Sequence, residues 1–132
     1  MKKLFALLLA CLMIAGMFAG CAPKDEGSVY WLNFKPESDE TLQKIAALYT
    51  EKTGVPVKVV TAASGTYNET LTAQMDKSDA PTMFVVGNAA AVETWGDYCL
   101  DLTGTDIANE LSTDAYMLYD ENGKLCSIGY CY

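Results

Sequence analysis

The sequence contains no histidine and no arginine among its 132 residues. The absence of histidine excludes Ser-His-Asp triads, histidine general bases and histidine-ligated metal sites. The absence of arginine removes the planar guanidinium that holds phosphate in a bidentate manner. The formal net charge of −8 also opposes binding to nucleic acid, which requires clusters of positive side chains. Nucleic-acid binding and histidine-dependent catalysis are therefore excluded.

Metal-binding cysteine motifs are absent as well, because no pair of the five cysteines has the CxxC spacing of zinc sites. If residues 126–131 form one extended strand, the Cα atoms of Cys126 and Cys131 lie about 16 Å apart, whereas a disulfide needs less than about 7 Å. A bond between these two is disfavoured, and a bond from Cys99 to either of them stays open. Buried, unreactive thiols are the simplest expectation, and we predict no metal and no cofactor.

Catalytic motifs are missing too. Ser64-Gly65 is not a nucleophile elbow, because the sequence has no GxSxG. Nothing in the pattern places two carboxylates opposite each other, as glycoside hydrolysis would require. The sequence therefore predicts a protein that is not an enzyme.

The N-terminus has the features of an export signal. Lys2 and Lys3 precede an uncharged apolar run at residues 4–18, which is shorter than the ~20 residues of a bilayer span. A positive start, an apolar centre and a small-residue exit predict a signal peptide over residues 1–20, with a buried core helix as the alternative. Phe18-Ala19-Gly20-Cys21 resembles the lipobox of bacterial lipoproteins, which implies cleavage before Cys21 and its lipidation. Residues 21–28 then form a polar, lipid-anchored tether.

The body of the chain alternates between strand and helix patterns. We predict strands at 28–34, 55–61 and 82–86 and helices at 37–54, 67–77 and 89–95. In the first helix we expect Ser38 as the N-cap and Gly54 just past the end. The inward stripe of that helix is predicted to be Leu42, Ile45, Ala46 and Tyr49. This order predicts an α/β fold with a parallel βαβαβ start, followed by a hairpin turning at Asn122-Gly123.

Ligands of open parallel sheets bind at the carboxyl ends of the strands. The candidate ligand-binding residues at these ends are Asn33, Lys35, Glu37, Gly65, Thr66, Tyr67 and Asn88. Amide, carboxylate, hydroxyl and ammonium groups beside aromatic rings suit a polyol such as a sugar. The alternatives are that Asn33 and Asn88 cap helices or shape turns, and that Lys35 and Glu37 form a surface ion pair of little energetic value. Trp31 is predicted to lie in the core, with a ligand platform as the alternative, and Trp95 and Tyr98 are predicted to be packing residues.

Several segments in order carry a family resemblance: VYWLNFKPE, EKTGVPVKVV, SGTY, DAPTMFVVGN and AAVETWGDYCLDLT. Together with the lipobox they resemble a family 1 extracellular solute-binding protein, the lipoprotein receptor of a bacterial sugar ABC importer. The resemblance implies a two-lobed, periplasmic-binding-protein-like (type II) fold that closes on a sugar or oligosaccharide and docks on an ABC transporter permease outside the cytoplasm. Residues 29–132 would be the N-terminal part of the first lobe, incomplete in this chain. Thr82 departs from the aspartate usual in the family.

Two other functions remain open from the sequence. An anchored surface domain of this acidity can serve as an interaction or adhesion module that holds a protein partner and takes no part in transport. A surface hydrolase is the third hypothesis, although no motif supports it. A transport receptor predicts binding to a small solute, which neither alternative requires.

Overall fold

The computed structural model of the protein describes residues 27–129. Four features named from the sequence lie outside the described residues: the signal peptide, the lipidation site Cys21, most of the tether, and Cys131. The signal peptide, the lipidation and the tether therefore stay predictions. The described elements are, in order, β1 (Val29–Asn33), α1 (Asp39–Thr53), β2 (Val57–Thr61), α2 (Tyr67–Met75), α3 (Ala89–Trp95), α4 (Asp106–Asn109), β3 (Leu118–Tyr119) and β4 (Leu125–Ser127), with 3-10 turns at Pro36–Ser38 and Gly96–Tyr98.

Strands β1 and β2 form the predicted parallel pair. Their register runs from Val29 opposite Val57 to Asn33 opposite Thr61, and α1 makes the crossover between them. Because the register is in phase, both strands end at the same level. The parallel β-α-β start of the fold is thus confirmed, and it places the two loops that follow β1 and β2 side by side.

The third predicted strand, residues 82–86, lies beside β1 without forming a regular strand. One parallel bridge joins Trp31 to Met83. The Leu32 N–H donates to the Met83 carbonyl at 2.9 Å, and the Met83 N–H donates to the Tyr30 carbonyl at 3.0 Å. Further along, the Val85 N–H donates to the Tyr67 hydroxyl at 2.7 Å. The inserted tyrosine takes the place of a ladder bond, so the prediction of a regular strand here is wrong. A nearly all-apolar run such as residues 82–86 is expected to be buried on both faces of a sheet, but Met83 is 41% exposed.

Helix α1 ends as predicted and begins differently. Gly54 follows the last turn with φ of 78° and donates its N–H to the Thr50 carbonyl. This left-handed conformation is one that glycine adopts without a steric penalty. Ser38 occupies the N-cap position as predicted, but its side chain makes no capping hydrogen bond. A 3-10 turn that starts at Pro36 leads into the helix instead.

The buried face of α1 also differs from the predicted stripe. Of the four expected residues, Ala46 is buried, whereas Ile45 and Tyr49 are 52% and 49% exposed. The difference is explained by polar groups of the sheet. Strand β2 is an edge strand among the described residues, and its outer backbone groups need hydrogen-bond partners. Three α1 side chains reach β2, since Asp39 accepts from the Thr61 hydroxyl, Gln43 donates to the Val59 carbonyl and the Thr50 hydroxyl accepts from the Val57 N–H. These bonds hold the face of α1 that carries Asp39, Gln43 and Thr50 against β2, and Ile45 and Tyr49 lie on the exposed side.

The remaining helices and the hairpin pack around small apolar clusters. Leu71 is the buried residue of α2. Val86, Val92 and Cys126 form a second cluster, against which Phe84, Ala91, Trp95, Cys99 and Leu118 pack. Strands β3 and β4 pair antiparallel as predicted, and Gly123 in the turn has φ of 84°. Trp95 is a packing residue, but Tyr98 is 64% exposed and only its ring edge meets Trp95, so its predicted burial is wrong.

The helices of residues 27–129 are short, and the longest, α1, has 15 residues. None of these helices is long and apolar enough to cross a bilayer.

Candidate functional site

The turn after β1 is built on the side chain of Asn33, which has no exposed surface. Its amide nitrogen donates to the Lys35 carbonyl at 2.8 Å and to the Thr61 hydroxyl at 3.1 Å, and its amide oxygen accepts from the Lys35 N–H at 3.0 Å. Thr61 in turn donates to Asp39 at the start of α1. The buried amide therefore joins the ends of both strands to the helix. The turn-shaping role that the sequence left open for Asn33 is present in the structure.

Residues 33–37, 63–67 and 85–88 are called the rim from here on. At its centre, the Phe34 and Tyr67 rings meet edge to face, with centroids 6.0 Å apart and planes at 73°. The Lys35 ammonium lies 5.3 Å from the Phe34 ring centroid, within the range of a cation–π contact. The same ammonium is 3.9 Å from the Glu37 carboxylate. Because Glu37 is mostly exposed, this ion pair contributes little to stability.

The Tyr67 hydroxyl connects the three chain segments of the rim. It accepts a hydrogen bond from the Val85 N–H at 2.7 Å and donates to the Leu32 carbonyl at 3.5 Å. Burial raises the pKa of this hydroxyl, and the Val85 hydrogen bond opposes that shift. The phenol therefore stays neutral at physiological pH and serves as a bridge between β1 and the segment that runs beside it.

We expect Tyr67→Phe to lower the free energy of unfolding by about 1–2 kcal/mol, because the Val85 N–H loses its partner in a half-buried position. Urea unfolding, followed by tryptophan fluorescence, measures the change. The control is Tyr49→Phe, which removes the same hydroxyl from a half-exposed position on α1 and should leave stability within about 0.5 kcal/mol. Equal effects of the two substitutions would show that the bridge contributes nothing specific.

The loop after β2 presents exposed polar groups. Gly65 has φ of 77° and is open to solvent. Thr66 precedes α2, and its hydroxyl donates to the Ala63 carbonyl at 3.1 Å. Both residues are exposed and lie directly before Tyr67. This loop therefore offers hydroxyl and backbone groups at the same level as Phe34.

The third part of the rim is Gly87-Asn88. The Asn88 side-chain oxygen accepts from the Ala91 N–H at 2.9 Å and caps α3, which is the capping role that the sequence also left open. Asn88 itself is exposed. A Cβ atom placed on Gly87 would meet no atom within 4 Å, so the backbone here is accessible from solvent.

A cavity of about 980 Å³ is lined by Val29, Trp31 and Phe34 and by residues 82–87 of the third apolar segment. The rest of its lining comes from the C-terminal part of the described chain, between Tyr98 and Gly129. Trp31, Phe34, Tyr98 and Tyr116 all contribute to the lining. Trp31 was predicted to be core, and it is instead half-buried on the cavity wall. The lining is mainly apolar, and none of the seven predicted ligand-binding residues is part of it.

The structure thus brings together part of the predicted set. Lys35 and Tyr67 flank Phe34, and Gly87, next to Asn88, lines the same cavity as Phe34. Phe34 is the residue that sequence reasoning left out of the candidate set, although it stands between two candidates in the same loop. Position 82 has a structural role, since the Thr82 hydroxyl accepts from the Tyr30 N–H at 2.9 Å.

Metal binding has no geometric support in the described part of the chain. Among residues 27–129, no three acidic or cysteine side chains converge as a cation site would need.

Comparison with known proteins adds to this geometry. A solved structure titled "Atomic resolution structure of apo-form of RafE from Streptococcus pneumoniae" is similar, with a TM-score of 0.60 and 18% sequence identity. The match covers 80% of this chain and 27% of that chain, so the present chain spans about a quarter of that structure. At this identity the likeness shows the fold, which is a partial periplasmic-binding-protein-like α/β fold. A search of the curated proteins finds no match.

A family model described as Bacterial extracellular solute-binding protein matches residues 44–132. The matched region holds β2, α2, α3 and the hairpin, together with two of the three rim segments. By its description, the family is extracellular and binds solutes; it is not a family of enzymes. This agrees with the prediction from the sequence. Because the model matches more than half of the sequence, this chain belongs to the bacterial extracellular solute-binding protein family.

Proposed function

We propose that this chain is part of the receptor of an ABC importer, which captures a carbohydrate outside the cytoplasm and delivers it to a permease. The observation that carries the proposal is the Phe34 ring, which lines the cavity and is flanked by Lys35 and Tyr67. A sugar presents apolar C–H faces and a ring of hydroxyls, and an aromatic face with polar neighbours complements both.

The proposed ligand-binding set is Asn33, Lys35, Glu37, Gly65, Thr66, Tyr67 and Asn88, to which the structure adds Phe34. Glu37, Gly65, Thr66 and Asn88 are exposed, and Lys35 is half-exposed. Asn33 acts through the turn that it holds, because its side chain is buried. A second lobe would close over this rim, as the family's two-lobed architecture requires.

The remaining parts of the proposal concern the anchor and the permease. Cleavage before Cys21 and acylation of its thiol would hold the receptor at the outer face of the membrane. Residues 22–28 would give it a short reach from the bilayer. A transmembrane permease would then receive the solute from the closed receptor. Mass spectrometry of the membrane-extracted protein, read at the peptide that starts at Cys21, tests the anchor.

Isothermal titration calorimetry of the full-length protein tests the ligand class. The panel holds oligosaccharides, monosaccharides, amino acids and divalent metal ions. The proposal predicts binding to at least one saccharide with a dissociation constant in the micromolar range. Binding to an amino acid or a metal ion alone, or no binding to any saccharide, would contradict it.

We further expect Phe34→Ala to weaken saccharide binding at least about ten-fold, because the ring supplies the face on which the sugar lies. The matched control is Tyr49→Ala, which removes a half-exposed aromatic ring from the outer side of α1 and should leave the affinity unchanged. Both variants are titrated with the best saccharide of the panel. Equal affinities of Phe34→Ala and the unchanged protein would remove Phe34 from the site.

A further inference from the structure

Two of the cysteines lie in one apolar cluster in the C-terminal half of the described chain. Cys126 is buried in the cluster with Val86 and Val92, and Cys99 packs against it. A Cβ atom on Gly96 would lie 3.8 Å from the Cys126 sulfur, which shows that this sulfur rests against the 3-10 turn that ends just before Cys99. Both cysteines are free thiols in this structure.

The backbone around the two cysteines is fixed by several hydrogen bonds. The Lys124 ammonium donates to the Gly96 carbonyl at 2.7 Å and to the Cys99 carbonyl at 3.3 Å. On the other side, the Leu102 N–H donates to the Leu125 carbonyl at 3.0 Å. The chain before and after each cysteine is therefore held in place, so that the thiols stay neighbours without any large backbone movement.

We propose that Cys99 and Cys126 form a disulfide bond when the protein folds outside the cytoplasm. The thiols have only weak alternative partners, since Cys99 donates to the Trp95 carbonyl at 3.4 Å and Cys126 to the Lys124 carbonyl at 3.5 Å. A metal would need more ligands than these two thiolates, and no third ligand joins them among residues 27–129. The extracellular family places the chain in a compartment where disulfides persist.

The oxidant is a disulfide compound, either a small-molecule disulfide or a thiol–disulfide oxidoreductase. One cysteine thiolate attacks a sulfur of that disulfide and displaces a thiolate, which gives a mixed disulfide. The second cysteine thiolate then attacks the protein sulfur of the mixed disulfide and displaces the other thiolate of the oxidant. The protein loses two protons and two electrons, and the oxidant is reduced to two thiols.

The timing follows from the surroundings of Cys99. Burial and the neighbouring Cys126 raise the pKa of the Cys99 thiol to about 11, although the Lys124 ammonium opposes this shift. Very little thiolate is present at neutral pH in the folded chain, and exchange is correspondingly slow. The bond therefore forms while the chain folds, before the cluster closes around the sulfurs.

The bond would stabilise the least regular part of the described chain. Between the two cysteines lie the four-residue helix α4, which has no buried residue, and exposed apolar side chains such as Leu100, Ile107 and Tyr116. A bond that closes a loop of roughly 27 residues restricts the unfolded chain and so favours the folded state. Both cysteines line the cavity that Phe34 also lines, so the link would hold this part of the lining in place.

Tryptic mapping of the full-length protein, refolded in a buffer of glutathione and glutathione disulfide, tests the proposal. Trypsin cleaves after Lys77 and Lys124, so Cys99 lies in peptide 78–124 and Cys126 in the peptide that begins at Leu125. Free thiols are blocked by alkylation before digestion. We expect a disulfide-linked pair of these peptides that separates on reduction, and a melting temperature that falls by several degrees when reductant is added.

Cys131 lies on the same peptide as Cys126 and supplies the control. The link should persist in Cys131→Ser and disappear in Cys99→Ser, and Cys99→Ser should melt at a temperature that reductant does not change. Alkylated, unlinked Cys99 and Cys126 in the unchanged protein would overturn the proposal. A link that is lost in Cys131→Ser would overturn it as well, because it would assign the partner of Cys99 to Cys131. The two results that would overturn the proposal are measured on the unchanged protein and on Cys131→Ser, and both proteins keep Cys99 and Cys126.

Discussion

Replacing Leu71 with alanine is expected to lower the free energy of unfolding by about 3 kcal/mol, the largest effect of any single substitution considered. Leu71 is 1% exposed and is the buried residue of α2. Truncating it removes apolar contacts and leaves a cavity that the short helix cannot fill. Because α2 begins at Tyr67, loss of its docking would also displace the hydroxyl that bridges Val85 and Leu32.

Leu48→Ala is the matched control for Leu71→Ala. Both leucines lie in helices, but Leu48 is 50% exposed on α1, and its truncation should change stability by less than about 1 kcal/mol. Urea unfolding of both variants gives the global values, and amide hydrogen exchange over residues 67–75 reports the docking of α2. A difference of less than about 1 kcal/mol between the two variants would contradict the assignment of Leu71 to the core.

Asn33→Ala is expected to cost about 2–3 kcal/mol and to weaken solute binding at the same time. The substitution removes two bonds to the Lys35 backbone and one to the Thr61 hydroxyl. The Lys35 carbonyl keeps the Ser38 N–H and the Thr61 hydroxyl keeps Asp39, so the Lys35 N–H is the group that loses its acceptor in a partly buried position. The turn that carries Phe34 and Lys35 would loosen as a result. Unfolding in urea and calorimetric titration with saccharide measure the two effects.

Asn88→Ala provides the comparison for Asn33→Ala, since it removes an exposed amide that makes one capping bond. We expect a loss of about 1 kcal/mol, as is usual for an N-cap. If Asn33→Ala weakened binding while leaving stability unchanged, Asn33 would be a direct ligand contact and its structural role would be wrong. If Asn33→Ala and Asn88→Ala had the same free energy of unfolding, the buried hydrogen bonds of Asn33 would stabilise the fold no more than one exposed capping bond.

Local patterns in the sequence predicted the β-α-β start because neighbouring residues decide them. The spacing of residues 42–49 predicted a helix, and Gly54 marked its end through a conformation that other residues avoid. Runs of β-branched and aromatic residues predicted β1 and β2 to within two residues of the observed bounds. The order of these elements then indicated a parallel pair.

The face that α1 presents to the sheet was not predictable from the same pattern. Counting apolar positions favoured Ile45 and Tyr49 as buried residues, and both are about half-exposed. The face that packs on the sheet instead carries Asp39, Gln43 and Thr50, which form hydrogen bonds with polar groups of the edge strand β2. An apolar stripe carries no information about which backbone groups of another strand lack partners.

By itself, the sequence determined the class of this protein. Its missing residue types exclude several functions, and its alternating elements and ordered motifs point to one fold and family, because composition and short-range periodicity are properties of the chain alone. Only the tertiary structure decided that the third apolar segment stops pairing where Tyr67 enters, that Asn33 is buried as a support, and that Cys99 and Cys126 are neighbours. Each of these depends on contacts between residues distant in the chain, and side-chain hydrogen bonds and packing choose among arrangements that the local pattern leaves equal.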